Sequence, residues 1–389
     1  VNQIAAVFWQ FLLLGCVSFG GPAAHIGYFK RTFVDKKAWL GDEEYARLIA
    51  LSQFLPGPGS SQVGFAIGMK KAGILGGIAA FLGFTLPSFL ILYGLSVASL
   101  NTESHWLVGI IHGLKLLAVV VVADATLGMF QNFCQRKSSQ LIAVVTAVAL
   151  LVFPSLWLQL LLLVFAAATG MIISQSKTES APLNPQSTDL KHKHFSTLHV
   201  LILVSFVSVF ALMPLLYQWP LGTIFADFYY AGSFVFGGGH VVLPLLQQIV
   251  ADNLSADNFL TGYAAAQAVP GPMFTLATFL GAQMSEQTFL SALTATLAIF
   301  LPGILLLIAF YRSWESLASQ PKVAGAAAGI NAAVVGLLIS ALFQPVFVSA
   351  VLSAQDFALA LLGFAMLRMF KPPILLLVFA FVVAGVCLH

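Results

Sequence analysis

Apolar runs of about 20 residues, the length that crosses the hydrocarbon of a bilayer as a helix, follow one another along nearly the whole chain. Examples run from Leu198 to Tyr217, Phe289 to Phe310 and Ile374 to Leu388. Only one interior stretch is strongly polar. It extends from Ser174 to Thr197, holds Ser, Thr, Pro and Asn beside a Lys191-His192-Lys193-His194 cluster, and has the composition of a flexible linker. It separates a first half, residues 1–173, from a second half, residues 198–389. In each half the pattern predicts a helix ending at a Phe-Gly-Gly turn, a polar connection, and a helical hairpin broken at a Pro-Gly-Pro. Four more membrane helices complete each half. In the first they are Ile74 to Ala98, Leu107 to Phe130, Leu141 to Phe153 and Leu156 to Ile173. In the second they are Phe289 to Phe310, Val323 to Phe343, Phe357 to Leu367 and Ile374 to Leu388. An additional helix, Leu198 to Tyr217, precedes the second set.

The halves repeat each other. Phe19-Gly20-Gly21-Pro22, with His25 soon after, answers Phe236-Gly237-Gly238-Gly239-His240. Leu40, Glu43, Tyr45 and Gln53 answer Leu254, Asp257, Phe259 and Gln267 at constant offset, up to the paired triplets Pro56-Gly57-Pro58 and Pro270-Gly271-Pro272. Leu86-Pro87 answers Leu301-Pro302, and Gly113-Leu114-Lys115 answers Gly329-Ile330-Asn331. Such long repeats imply two copies of one structural unit. Proline lacks the amide hydrogen and its ring blocks the preceding turn, so two prolines around a glycine break a helix. Inside a bilayer, irregular backbone is tolerated only where protein buries it or where it lines a wet cavity. Matching breaks in two halves of a hydrophobic chain point to a transporter's binding site.

Loop charges bear on orientation, because Lys and Arg concentrate in cytoplasmic loops. After the first Phe-Gly-Gly come Lys30, Arg31, Lys36 and Lys37, then Lys70 and Lys71 after the hairpin, and Arg136 and Lys137 two crossings later. The corresponding connection of the second half, His240 to Ala256, has no Lys or Arg. Its basic residues fall at Arg312, Lys322, Arg368 and Lys371, one crossing out of phase. The fold class expected is an all-α polytopic membrane protein of two inverted-topology repeats, with broken or re-entrant helices at the substrate site. Counting every apolar segment as a crossing leaves both halves facing the same way. Inversion requires that the Phe-Gly-Gly segments also dip in and return.

Composition narrows the class. Hydrophobic residues make up 59% of the chain and charged residues 8%, so the bilayer takes the place of a soluble core. A net charge of +3 spread over loops gives no footprint for nucleic acid. The three cysteines, Cys16, Cys134 and Cys387, are far apart and form no Cys-x-x-Cys, which argues against a disulfide scaffold, a structural zinc or a dithiol centre. No Gly-x4-Gly-Lys-Ser/Thr run is present, so ATP binding by a P-loop is excluded. The first apolar segment, Ile4 to Phe19, lacks a basic leader and a small-residue cleavage site and is expected to be retained.

A helix starting after Pro58 exposes the amides of Gly59, Ser60 and Ser61 and the positive end of its dipole, with Met273, Phe274 and Thr275 in the second copy. Helix N-termini and first-turn hydroxyls suit anions. A packing kink is the alternative, but two breaks in register, each preceded by a buried Gln53 or Gln267, favour a substrate role. Gly20, Gly21, Gly237 and Gly238 let the backbone approach a ligand or, equally, a neighbouring helix. His25 and His240 suit an anion donor or a proton carrier, or a structural hydrogen bond. Lys115 lies deep in an apolar helix, where a cation is costly. It reads as an anion counter-charge or as a link to the other repeat, with a snorkelling lysine as the plain alternative. Asp124, nine residues on, lies on the opposite face, while His112 shares the face of Lys115. Asn331 holds the corresponding place in the second copy. Asp124 and Asp227 are candidates for proton coupling or for structural contacts.

Together the paired Phe-Gly-Gly-Pro/Gly and Gln-x-x-Pro-Gly-Pro motifs, in two halves around a polar linker, resemble the chromate ion transporter family of the long-chain, two-domain type. The resemblance implies a multi-pass carrier of the bacterial cytoplasmic membrane that exports chromate on the proton gradient and confers chromate resistance, through halves related by inversion. The broken-hairpin argument places the binding site at Pro56, Gly57, Pro58, Pro270, Gly271 and Pro272 and their neighbours. Where this chain has Gly59 family members often have Thr or Asn, and the second copy has Met273, so a side-chain contact there is open. Sulfate has the same shape and charge as chromate, and discrimination is a difference of small terms. A sulfate carrier and an anion channel using the broken helices as a filter are the rival readings. A chromate reductase is disfavoured by the lack of flavin, haem or paired-cysteine signatures. No cofactor or metal is expected; the partners are the oxyanion, protons as coupling ion and the lipid bilayer, and a homodimer is left open.

Overall fold

In the computed structural model, residues 2–99, 105–178, 197–236, 242–251, 253–311 and 320–388 are described. All regular structure among them is helical. The first half contains α1 (Asn2–Val17), α2 (Gly21–Phe29), α3 (Asp42–Phe54), α4 (Gly59–Ser99), α5 (His105–Phe133), α6 (Lys137–Val152) and α7 (Leu156–Thr178). Then come α8 (Thr197–Leu216), α9 (Pro220–Ser233), α10 (Val242–Val250), α11 (Ala256–Ala268), α12 (Leu276–Gln283) and α13 (Thr288–Phe310). The chain closes with α14 (Pro321–Ala341), α15 (Ala354–Phe370) and α16 (Ile374–Leu388). Six described helical stretches are long and apolar enough to cross a membrane, among them Gly59–Ala98, Val108–Phe133 and Thr288–Phe310. Outward faces carry Trp157, Val164, Phe165 and Phe379, each at least 66% exposed, the surface a helix presents to lipid rather than to water.

The expected order of elements is present. The polar connection after the first Phe-Gly-Gly is itself helical: α2 continues as a wider helical turn over Lys30–Lys36. Its counterpart α10 is helical too. The reason is local. Gly20 (φ +97°) and Gly21 (φ +74°) turn the chain sharply, and Pro22 then sits in the first turn of a new helix, where its missing amide costs nothing. Buried Phe29 and Phe33 hold this return segment against Phe11 of α1, with ring centroids 5.5 and 4.8 Å away. α4 is two helices in geometry, because Ala72 (φ −143°) and Gly73 (φ +68°) leave the helical region.

Helices of the two halves interleave. A Cβ on Gly113 of α5 would collide with the Phe381 carbonyl oxygen of α16. On Gly329 of α14 it would collide with that of Ala166 in α7. The corresponding helix of each half therefore docks on the last helix of the other, with glycine permitting backbone contact. Gly15 and Gly232 repeat the device inside each half, meeting Pro87 of α4 and Pro302 of α13. Of the polar linker expected at 174–197, residues 174–178 continue α7 and Thr197 opens α8, while 179–196 lie outside the described residues.

Gly329→Ala should lower stability by about 1–3 kcal/mol or abolish folding, as overpacking does. Gly128→Ala on α5, where a Cβ meets nothing within 4 Å, should be neutral or stabilise by up to about 1 kcal/mol. Thermal unfolding of the two purified variants in detergent checks the contrast.

Candidate functional site

The broken helices meet at the centre, and they meet crosswise. α3 stops at Phe54 because Pro56 follows, and α4 restarts at Gly59 after Pro58. Between them Gly57 takes φ +113° and donates its amide to the Val235 carbonyl, 2.7 Å away in the second half. In the other copy Gly271 takes φ +106° and donates to the Ser18 carbonyl of the first half at 2.9 Å. Val235 and Ser18 each immediately precede their Phe-Gly motif, so each Pro-Gly-Pro is tied to the opposite half's turn. Side chains are excluded as well as disfavoured there. A Cβ on Gly57 would lie 2.8 Å from the Gly303 backbone, and on Gly271 it would lie 2.9 Å from the Ser88 hydroxyl oxygen.

Buried polar groups gather around the first crossing. His25 is fully buried, with Nδ1 3.2 Å from the Ser60 hydroxyl and Nε2 3.2 Å from the Ser18 carbonyl. Its ring lies edge-on to Phe84 at 5.2 Å. The Nε2 contact to a carbonyl requires that nitrogen to carry the proton, which leaves Nδ1 to accept from Ser60. Gln62, also fully buried, donates Nε2 to the Pro56 carbonyl at 2.8 Å and to that of Gly303 at 3.0 Å. The hydroxyls of Ser18 and Ser61 and Oε1 of Gln62 are buried and have no hydrogen-bond partner among the described residues. The first-turn amides of α4 have no acceptor within their helix. This is a concentration of donors with positive helix-end potential and no acidic side chain, which suits an anion. The second crossing is less polar: Thr275 donates its hydroxyl to the Pro272 carbonyl, and Gln267 donates to the sulfur of Met273.

The chromate transporter family model matches residues 5–171 and 222–386. The chain belongs to the chromate transporter family. The two matched segments flank the polar linker and suggest two halves, and the family is one of transporters, not enzymes. A probable chromate transport protein of Synechococcus elongatus is 29% identical over 342 residues, covering 85% of this chain and 81% of the relative. A chromate transport protein of Pseudomonas aeruginosa is 26% identical over 343 residues, covering 85% and 78%. An uncharacterized transporter of Methanocaldococcus jannaschii is 26% identical over 338 residues, covering 86% and 82%. No solved structure matches the chain.

The candidate residues of this chromate transporter family member do not all converge. Pro56, Gly57, Pro58, Ser60 and Ser61 gather at the first crossing; Gln267, Pro270, Gly271, Pro272 and Thr275 lie at the second, beside the Gly20-Gly21 turn that follows Ser18, and His25 joins the two through Ser60 and the Ser18 carbonyl. Gly237, Gly238 and His240 lie outside the described residues. Gln53 is exposed rather than buried, because Ser52 takes the inward position of α3 and lies against Gly59. Asn331 is half-buried on α14. Lys115 is the link between repeats: its Nζ is 2.6 Å from Asp257 at the start of α11. That is roughly 16 Å along α11 from its broken end at 1.5 Å per residue. Asp124 pairs with Arg368 at 3.1 Å, and Asp227 accepts from the Tyr217 hydroxyl at 3.0 Å. Gln62 and Ser18 went unnoticed in the sequence because the repeat does not preserve them; Leu276 and Val235 stand in their places.

Lys115 is buried and Asp257 mostly exposed, with side chains 10% and 71% accessible. Asp257→Ala strands a cation inside the protein and should cost on the order of 1–3 kcal/mol. Lys115→Met removes charge and desolvation together and should cost less. Thermal unfolding of both variants tests that order.

Proposed function

We propose that the chain is a secondary active transporter that exports chromate, a tetrahedral divalent oxyanion, across the cytoplasmic membrane on the proton gradient, and so confers chromate resistance. The observation that carries this reading is the crosswise pairing of the two Pro-Gly-Pro breaks with the opposite Phe-Gly turns. It brings irregular backbone, a helix N-terminus and the hydroxyls of Ser18, Ser60 and Ser61 to one buried place inside an apolar protein. An oxyanion there accepts from the amides of Gly59, Ser60 and Ser61 and from the hydroxyls of Ser18 and Ser61, while His25 accepts from the Ser60 hydroxyl and fixes the first turn of α4. Relatives named as chromate transport proteins support chromate as the cargo.

On this reading the units are residues 1–173 and 198–389, working as inverted repeats with alternating access to the central site. Contacts at helix ends support the inversion. Lys70 pairs with Glu44 at 2.7 Å, holding the start of α3 beside the interruption of α4, where its second segment begins. That segment runs to the opposite end, where α5 begins. There Lys115 and His112 pair with Asp257 and Asp356, at the starts of α11 and α15. α3 and α11 thus enter from opposite ends. The end of α5 carries the Asp124 contact to Arg368 of α15, and Ser174 of α7 donates to the Pro321 carbonyl of α14 at 2.8 Å. Along this path Lys30–Lys37, Lys70, Lys71, Arg136, Lys137, Lys322, Arg368 and Lys371 fall at one end. The connections 153–155, 217–219, 284–287 and 351–353 fall at the other and hold no Lys or Arg. The basic end is the cytoplasmic one by the positive-inside rule.

Chromate uptake into inverted membrane vesicles, with and without a proton gradient and with sulfate as competitor, tests the assignment. Gradient-driven, saturable uptake with weak sulfate competition is expected. Equal competition makes the protein a general oxyanion carrier; linear flux independent of the gradient makes it a channel. His25→Ala and Pro56→Ala should each reduce uptake at least tenfold with the protein still in the membrane, and wild-type uptake in both would remove the central site.

A further inference from the structure

Away from the central crossing, a cavity of about 140 Å³ opens between α6, α7, α10 and α14, with Gln159, Gln247, Gln248, Ser340 and Gln344 on its walls. Gln159 is 1% exposed, and neither its Oε1 nor its Nε2 has a hydrogen-bond partner among the described residues. Oε1 of Gln248 is buried and unpartnered as well. An amide so placed is costly to leave without a partner in an apolar surround. Something polar therefore completes these groups. The space is large enough to hold several waters or a partly hydrated ion.

The electrostatics select the sign of that guest. Residues of the last turns of α6 (Leu150, Leu151) and α14 (Leu337, Ser340, Ala341), and of the end of α10 (Gln248, Ala251), line the cavity. Only α7 presents its start there, through Pro154 and Gln159. Three carbonyl-bearing, partially negative helix ends thus face one positive end. Just past the end of α14 the chain also leaves the helical region at this wall, at Gln344 (φ −129°, ψ 113°). Carboxamide, hydroxyl and carbonyl oxygens are the ligands of a hard cation. Among the described residues no carboxylate lines the cavity, so these walls lack the charge that divalent ions draw on.

We infer that this cavity is a binding site for a monovalent cation, sodium in the first instance, held by the oxygens of Gln159, Gln248 and Ser340 with part of its water retained. Unwound backbone and helix C-terminal ends are the usual seat of coupling ions in secondary transporters. On the orientation given by the proposed function, the site lies at the end of the protein opposite its basic connections.

The test reads binding rather than transport. The purified full-length chain in detergent is unfolded thermally across a sodium chloride titration, at ionic strength held constant with choline chloride. A saturable rise of the midpoint with sodium is expected, since a ligand that binds only the folded state stabilises it. Gln159→Leu and Gln248→Leu should each weaken the apparent sodium affinity at least tenfold, and Gln248→Glu, which adds a carboxylate, should tighten it. A wild-type midpoint indifferent to sodium overturns the inference and leaves the chromate reading standing. So does a sodium response undiminished in both Leu variants. A shift produced by chromate instead of sodium, lost in the Leu variants and in Gln248→Glu, overturns it in favour of a second oxyanion station. Should the Leu variants fail to fold, the wild-type titration and Gln248→Glu still decide. Loss of vesicle transport with the sodium response intact would sink the proposed function alone.

Discussion

Two backbone hydrogen bonds hold the centre of this protein: Gly57 to Val235 at 2.7 Å and Gly271 to Ser18 at 2.9 Å. In an apolar surround each unpaired peptide group is costly, and a helix broken by two prolines leaves several. Here the break in one half is satisfied by the turn in the other. Only glycine meets both demands, a positive φ and a backbone within about van der Waals distance of its neighbour. Neither half can complete its own broken helix, so the repeat makes sense only as a pair. A shift of either hairpin must carry the opposite turn along or give up the bond.

The interleaved helices extend this dependence outward. α5 belongs to the first half, yet its charged and imidazole groups pair with the second: His112 with Asp356 at 2.8 Å, Lys115 with Asp257 at 2.6 Å and Asp124 with Arg368 at 3.1 Å. Such pairs add modest net stability, because desolvation offsets attraction, but a mispaired partner would leave a buried charge alone. They fix register between halves whose glycine-lined contacts are otherwise smooth. The buried His112–Asp356 pair also draws on Ser353 and the backbone of Leu352, which satisfy the second oxygen of the carboxylate. That is how a membrane protein keeps a carboxyl inside.

Much was legible in the sequence, for reasons that can be named. Helix existence followed from apolar length, and helix ends from proline and glycine, whose effects are local and strong. The paired breaks, the equivalence of Gly113 with Gly329 and of Pro87 with Pro302, and the additional helix before the second half all survive in the structure. The family likeness rests on the same motifs. Helical content in the segment after Phe-Gly-Gly was missed because Lys30 to Lys37 are polar and lack an apolar period; packing of Phe29 and Phe33 on Phe11 overrides that. Gln53 and Gln267 are both read as buried before their Pro-Gly-Pro, but in α3 the inward position falls to Ser52, a rotation of about 100° away.

What the sequence determined by itself is the pattern of spans, breaks and repeats, because each is written in residues close together in the chain. The tertiary structure decided which groups meet. Gly57 lies 178 residues before Val235, and Lys115 lies 142 before Asp257; no local rule links them. Lys115 could have faced an anion or a carboxylate, and only the docking of α11 on α5 chose Asp257. Ser18 and Gln62 carry no repeat signal, and became candidates only when the crossing helices buried their polar atoms. The cavity walled by Gln159 and Gln248 likewise exists only where four helices from both halves end together. Local chemistry fixes how a segment is shaped; which segment satisfies its leftover donors, acceptors and charges is settled by packing.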